Sequence, residues 1–212
     1  MMFMLNNLVK TTLGASLLAA SAFASAAVIP YGPQNDVAVS TVTNDWGWSE
    51  CYSATYATPM GTTVDDELAN CSGDYLMLAA RRTGSDVFEV LAAAGWDDVL
   101  TDTGAANNDV TTTANGAEWY YADGWSWGFA GLGDDVNKFE CDTAAASERD
   151  RLCWHTLNGV GGYRAGSYLG LNNSTDWEKV ILVANAVAVP APATALLLGL
   201  GLAGLGLRRR NK

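Results

Sequence analysis

The chain has 212 residues, 49% of them hydrophobic and 17% charged, with 23 acidic against 12 basic residues and a net charge of −11 at pH 7. Such a field repels nucleic acid, which excludes a nucleic-acid-binding function and favours cations or basic partners. Four cysteines, one histidine and no C-x-x-C exclude a Cys/His zinc centre, whose ligands are closely spaced.

Met1 to Ala26 places Lys10 ahead of the apolar stretch Leu13 to Ala20 and closes on Ala24-Ser25-Ala26. This pattern predicts a secretory signal peptide read by the Sec export machinery and cut after Ala26. Residues 27–186 then make one exported domain, long enough to bury a core. All 23 acidic residues lie in it, between Asp36 and Glu178. Its only cations are Arg81, Arg82, Lys138, Arg149, Arg151, Arg164 and Lys179, so it is more acidic than the whole chain. Cys51, Cys71, Cys141 and Cys153 all fall in this part, where an oxidising compartment joins them. Three connectivities are possible, and proximity favours Cys51 with Cys71 and Cys141 with Cys153.

In chain order, Val37, Val39 and Thr41 alternate as a first strand. Trp46 and Trp48 share one face of an extended segment. A helix is expected over Val64 to Asn70, capped by Thr63, with Asp65, Asp66 and Glu67 at its positive end and Gly73 after its close. Strands over Tyr75 to Ala80 and Val87 to Leu91 flank the turn signal Gly84-Ser85. Asn115-Gly116 and Asp123-Gly124 each favour a two-residue primed turn, dividing Asp109 to Ala130 into a three-stranded meander. In that register Ala122 faces Trp125 and Tyr120 faces Trp127. Tyr120, Trp125, Trp127 and Phe129 then share one face, and Trp119 and Tyr121 the other. A second short helix is expected over Ala144 to Arg151, and further strands near Leu152 to Thr156, Tyr163 to Leu171 and Trp177 to Val183. The sum is a mainly β domain, an antiparallel sandwich or compact barrel with one or two short helices.

Candidate chemistry is sparse. A nucleophilic dyad would have to use His155 with Cys153, which share a strand face, but Cys153 reads better as a disulfide partner. Glu118 and Glu140 stand near aromatics and could serve glycoside hydrolysis, which needs two carboxylates. The oxygen donors of Asp102, Asp109, Asp134 and Asp135 suit calcium, although none sits in a D-x-[DN]-x-[DN]-G loop. The expectation is therefore no cofactor, with calcium the one candidate metal. Trp46, Trp48, Trp119 and Tyr121 are either core anchors or an exposed platform on which the C–H face of a sugar could stack.

The chain ends on Val189-Pro190-Ala191-Pro192, an uncharged apolar run from Ala193 to Leu207, and Arg208-Arg209-Arg210-Asn211-Lys212. As a helix rising about 1.5 Å per residue the run reaches roughly 22 Å, short of a bilayer core of about 30 Å. Counted from Val187 it is long enough, and the basic cluster stays on the cytoplasmic side. Residues 187–212 thus form a C-terminal hydrophobic helix held at least transiently in the inner membrane.

The order of short proline motif, glycine-rich apolar helix and terminal arginines resembles the PEP-CTERM sorting signal of exopolysaccharide-producing Gram-negative bacteria. The resemblance implies an exosortase, a membrane-embedded cysteine transpeptidase-like enzyme, as partner, with Val189, Pro190, Ala191, Pro192, Arg208, Arg209 and Arg210 as its sorting motif. Ala191 stands where the family has Glu. The exported domain itself resembles uncharacterised domains of that group, which bring no catalytic residues. The resulting expectation is a non-enzymatic cell-surface or extracellular-matrix protein whose candidate ligand is exopolysaccharide. The competing readings are a secreted hydrolase of matrix polysaccharide and a protein-binding adhesin, the latter marked by a contiguous apolar patch.

Overall fold

The computed structural model describes residues 26–105, 110–138 and 141–186. The expected signal peptide through Ser25, the C-terminal segment from Val187 with its expected helix, and Asp109 and Glu140 lie outside the described residues. Among those described, no helix is long and apolar enough to cross a membrane.

The strands are β1 (Gln34–Ala38), β2 (Ser49–Thr55), β3 (Tyr75–Arg82), β4 (Val87–Gly95), β5 (Thr112–Ala114), β6 (Ala117–Ala122), β7 (Ser126–Gly131), β8 (Leu152–Leu157), β9 (Val160–Ala165) and β10 (Trp177–Ala184). They form two five-stranded sheets, β1-β4-β3-β10-β2 and β5-β6-β7-β8-β9, with every strand pair antiparallel. The expected mainly β class is the observed one. Leu76, Leu78, Val90, Ala92 and Ile181 of the first sheet meet Trp119, Trp127, Phe129, Leu152 and Trp154 of the second in one shared core, the inner layer of a sandwich.

The outer faces are covered as well. Met77, Ala79, Leu91, Ala93, Val180 and Leu182 point away from the shared core and pack under Val42 and Trp48, with Ile29 and Trp46 alongside. Burial on both faces explains why β3, β4 and β10 read as continuous apolar runs instead of alternating ones. Val42 reaches this layer because β1 stops at Ala38 and the chain winds into a π-helical turn, Thr41–Asp45. The Trp46 amide closes the turn on the Thr41 carbonyl at 2.9 Å, so Thr41 is not the strand residue its alternation predicts.

Both disulfides join near neighbours in sequence, Cys51 with Cys71 and Cys141 with Cys153. The first helix is shorter than expected: α1 (Asp65–Leu68) starts after Val64, and no side chain caps it, in place of a Thr63 cap. A second single turn, α2 (Trp96–Val99), follows β4.

Two departures from the expected elements have clear physical causes. The Asn115-Gly116 turn is the expected two-residue hairpin, with both residues at positive φ and Ala114 opposite Ala117. The next loop takes one residue more, so that Ala122 pairs with Ser126, Tyr121 with Trp127 and Tyr120 with Gly128. Thr156 of β8 sets this register. Its hydroxyl oxygen accepts the Trp125 amide at 2.9 Å and donates to the Ala122 carbonyl at 2.6 Å, which draws Trp125 into the loop. A one-residue slip exchanges the faces of a strand, and Trp127 and Phe129 accordingly join Trp119 in the shared core. Tyr120 instead faces outward, its ring lying where a side chain on Gly128 would have to go.

The second departure is the segment from Ala144 to Arg151, which forms bends and turns instead of a helix. Arg164, fully buried on β9, uses all five guanidinium donors on backbone carbonyls. Nε donates to Gly166 at 2.8 Å, Nη1 to Asp142 at 2.8 Å and Ala144 at 2.5 Å, and Nη2 to Ala145 at 2.8 Å and Glu148 at 3.0 Å. Carbonyls turned inward to one cation cannot also form the i to i+4 ladder of a helix. Cys141, Asp142 and Ala145 take positive φ to make the turn.

Other cations act in the same way. Lys138, 1% exposed, donates to the carbonyls of Thr103, Gly104 and Val110 at 2.9, 3.1 and 3.1 Å. Arg151, 2% exposed, meets Asp134, Asp142 and Glu148, and Lys179 donates to the Thr58 carbonyl at 2.5 Å. Most of the domain's positive charge is thus spent inside, fastening loops, and the exterior is left acidic.

Candidate functional site

At one end of the first sheet, Arg82 closes β3 and pairs with Trp177, the first residue of β10. Trp177 is buried at 1% exposure and its ring lies 6.4 Å from that of Tyr56. After β9 the chain turns at Gly166, at positive φ, and an isolated bridge to Ala165 holds Tyr168. The Tyr168 ring rests on Trp177 with centroids 4.8 Å apart and planes tilted by 47°, while Tyr168 stays 40% exposed. The Arg82 guanidinium lies over both rings, 4.2 Å from the Trp177 centroid and 4.9 Å from that of Tyr168. Each such contact contributes about 0.5–1 kcal/mol at an exposed site. The result is an exposed aromatic ring on a buried one, with a cation beside it.

The structure takes the expected sugar platform apart. Trp119 is fully buried, tilted on Phe129 at 5.3 Å, with its indole donating to the Ala114 carbonyl. Trp48 is 2% exposed, and its indole donates to the Val28 carbonyl at 2.8 Å. Neither can stack on a ligand. Trp46 is half-buried against the outer core of the first sheet. Tyr121 is half-buried beside Trp127, and its hydroxyl donates to Asp123. Both faces of the two sheets are covered, and Trp48 and Trp119 are core anchors.

The catalytic candidates are likewise engaged in structure. Cys153 is bonded to Cys141, so no Cys153–His155 dyad exists. His155 packs edge-on against Tyr163, and burial pushes its imidazole below the usual range. Glu118 accepts the hydroxyls of Thr111 and Thr113 at 2.7 and 2.8 Å and the Gly133 amide at 3.0 Å. Although burial opposes ionisation, these donors hold its carboxyl below the ordinary value.

Of the calcium candidates, Asp102 accepts the Gly104 amide at 2.7 Å and Asp134 pairs with Arg151 at 3.2 Å. Asp135 gives its backbone carbonyl to the same arginine, and Asp109 lies outside the described residues. Among the described residues no group of three or more His, Cys, Asp or Glu side chains could hold a metal ion.

A polar cleft of about 470 Å³ is lined by Gly73, Asp74, Gly95, Trp96, Asp97 and Asp98. Glycoside hydrolysis needs one carboxyl held protonated beside one ionised. Among the described residues the carboxyls that burial pushes up are Glu67, Asp134 and Asp142, none of which lines the cleft. Asp74 already accepts the Ala186 amide at 2.6 Å.

Ala186 is also the last described residue before the tail. The model of the PEP-CTERM protein-sorting motif family matches residues 188–210. The chain carries a PEP-CTERM sorting tail. The match starts two residues beyond Ala186, so the PEP-CTERM signal follows directly on β10 and the cleft beside it. It makes this an exported protein, sorted at the membrane through an exosortase. No curated protein matches the chain, and no solved structure does.

Tyr168 and Arg82 did not stand out in the sequence. They are far apart in the chain, and what distinguishes them is their exposure and the absence, among the described residues, of an ion pair to Arg82. The available signal was the scarcity of cations in so acidic a domain.

Proposed function

We propose that this PEP-CTERM protein is a non-enzymatic component of the cell surface or extracellular matrix of a Gram-negative bacterium, and that its exported sandwich binds exopolysaccharide. Tyr168 carries this reading. It is an aromatic side chain left 40% exposed and held in place by a buried tryptophan, the arrangement that stacks on the apolar face of a pyranose. The non-enzymatic part is supported by the structural engagement of Cys153, Glu118 and Asp142.

Glycan-array binding with purified protein is expected to show retention that is lost in Tyr168→Ala and kept in Tyr31→Ala, which removes another exposed ring (69%). No retention on any glycan refutes the binding role. Intact mass spectrometry of surface material should lack both Met1 to Ala26 and the apolar tail. Recovery of Arg208 to Lys212 still attached would mean permanent anchoring.

A further inference from the structure

We infer that the ligand at the Tyr168 platform carries carboxylates, as in a uronic-acid polysaccharide, and that Arg82 recognises them. This rests on the glycan-binding reading and adds the chemical class of the ligand.

Arg82 differs from every other cation of the exported domain. Arg81 is paired with Glu178 at 2.6 Å and with Glu50 at 3.5 Å, and Arg149 with Asp36 and Glu89 at 2.8 and 3.0 Å. Arg151 and Arg164 are buried among carboxylates and carbonyls, and Lys138 and Lys179 donate to carbonyls. Arg82 is exposed and, among the described residues, is the one cation whose side chain makes neither an ion pair nor a hydrogen bond. In a chain with 23 acidic residues, this leaves the Arg82 guanidinium available to a carboxylate from outside.

The two rings also do something specific to it. An unpaired surface arginine ordinarily samples many rotamers, and fixing one costs up to about 2 kcal/mol of side-chain entropy. Here the guanidinium carbon lies over the Trp177 and Tyr168 rings, so part of that cost is met before any ligand arrives. The five N–H donors form a planar fork that matches a carboxylate with two parallel hydrogen bonds. Tyr168 supplies the ring for the sugar face and Arg82, beside it, the fork for the carboxylate on the same residue. The acidic exterior repels a polyanion at long range. That repulsion is screened beyond roughly 10 Å at 0.1 M salt, so association should quicken with added salt while the short-range contact persists.

The test compares full-length protein in detergent, by affinity electrophoresis through polygalacturonate or alginate and through neutral dextran, at about 0.1 M salt. Wild type is expected to be retarded by the uronate polymers and not by dextran. Arg82→Gln should weaken that retardation by about tenfold or more, and Arg82→Lys, which keeps the charge but loses the fork, should recover only part. Melting temperatures unchanged from wild type confirm that the exposed substitutions leave the fold intact. If Tyr168→Ala abolishes binding to a neutral glycan while Arg82→Gln binds as wild type does, glycan binding stands and the carboxylate assignment falls. If no polymer retards the wild type, both fall.

Discussion

Replacing Arg164 with lysine keeps the charge and the approximate length but reduces five donors to three. At least two of the carbonyls of Gly166, Asp142, Ala144, Ala145 and Glu148 then lose their partner. An unsatisfied buried polar group costs about 1–3 kcal/mol. The Gly166 and Asp142 contacts are fully buried, whereas water can reach the other three carbonyls and offset part of their loss. The expected cost is therefore about 2–4 kcal/mol. With a urea dependence of about 1–3 kcal/mol per molar, the unfolding midpoint of the purified protein should fall by roughly 1–2 M. The same change at exposed Arg82 should alter the stability by less than about 0.5 kcal/mol. Limited proteolysis adds a local readout, since cleavage between Asp142 and Glu148 should accelerate in Arg164→Lys. A stability within about 0.5 kcal/mol of wild type, with the loop no more easily cut, would refute the clamp.

Burial lowers the Lys179 ammonium from 10.5 to about 8. Between those values the unfolded chain binds the extra proton, so stability should rise with pH across this window, by up to about 3 kcal/mol. Lys179→Met should flatten that rise. Equal slopes for the two proteins in denaturation series from pH 8 to pH 10 would show that Lys179 is not its source. The disulfides close separations of 20 and 12 residues, and replacing either pair with serine should cost about 3 kcal/mol in calorimetry without reductant. Trp119→Ala should destabilise by about 3–5 kcal/mol, yet the fraction that remains folded should bind uronate polymers as wild type does. A specific loss of binding would return Trp119 to the site.

Local signals in this chain were reliable where the cause was local. Asn115-Gly116 forms its turn because positive φ at both positions is a property of those two residues. The apolar runs of β3, β4 and β10 fit strands of a sheet covered on both faces. Where a distant residue decided the outcome, the local pattern misled. Asp123-Gly124 has the same turn chemistry, but Thr156 claims Trp125 and lengthens the loop. Ala144 to Arg151 has helical composition, but Arg164 takes its carbonyls.

The sequence by itself determined the sorting and the class: a sorting tail at residues 188–210, an acidic stretch ahead of it, and β structure written in apolar runs and turn dipeptides. These depend on composition and near-neighbour order, which survive without a fold. Only the tertiary structure decided which aromatics face out and which charges remain available. A one-residue register moved Trp127 and Phe129 into the core beside Trp119, and loops over both sheets closed the faces on which a ligand could have stacked. Burial of Lys138, Arg151, Arg164 and Lys179 and the ion pairs of Arg81 and Arg149 then left Arg82, beside Tyr168, as the cation among the described residues without a carboxylate partner. Solvent exposure and pairing are sums over contacts between distant segments, and they exist only once those segments have met.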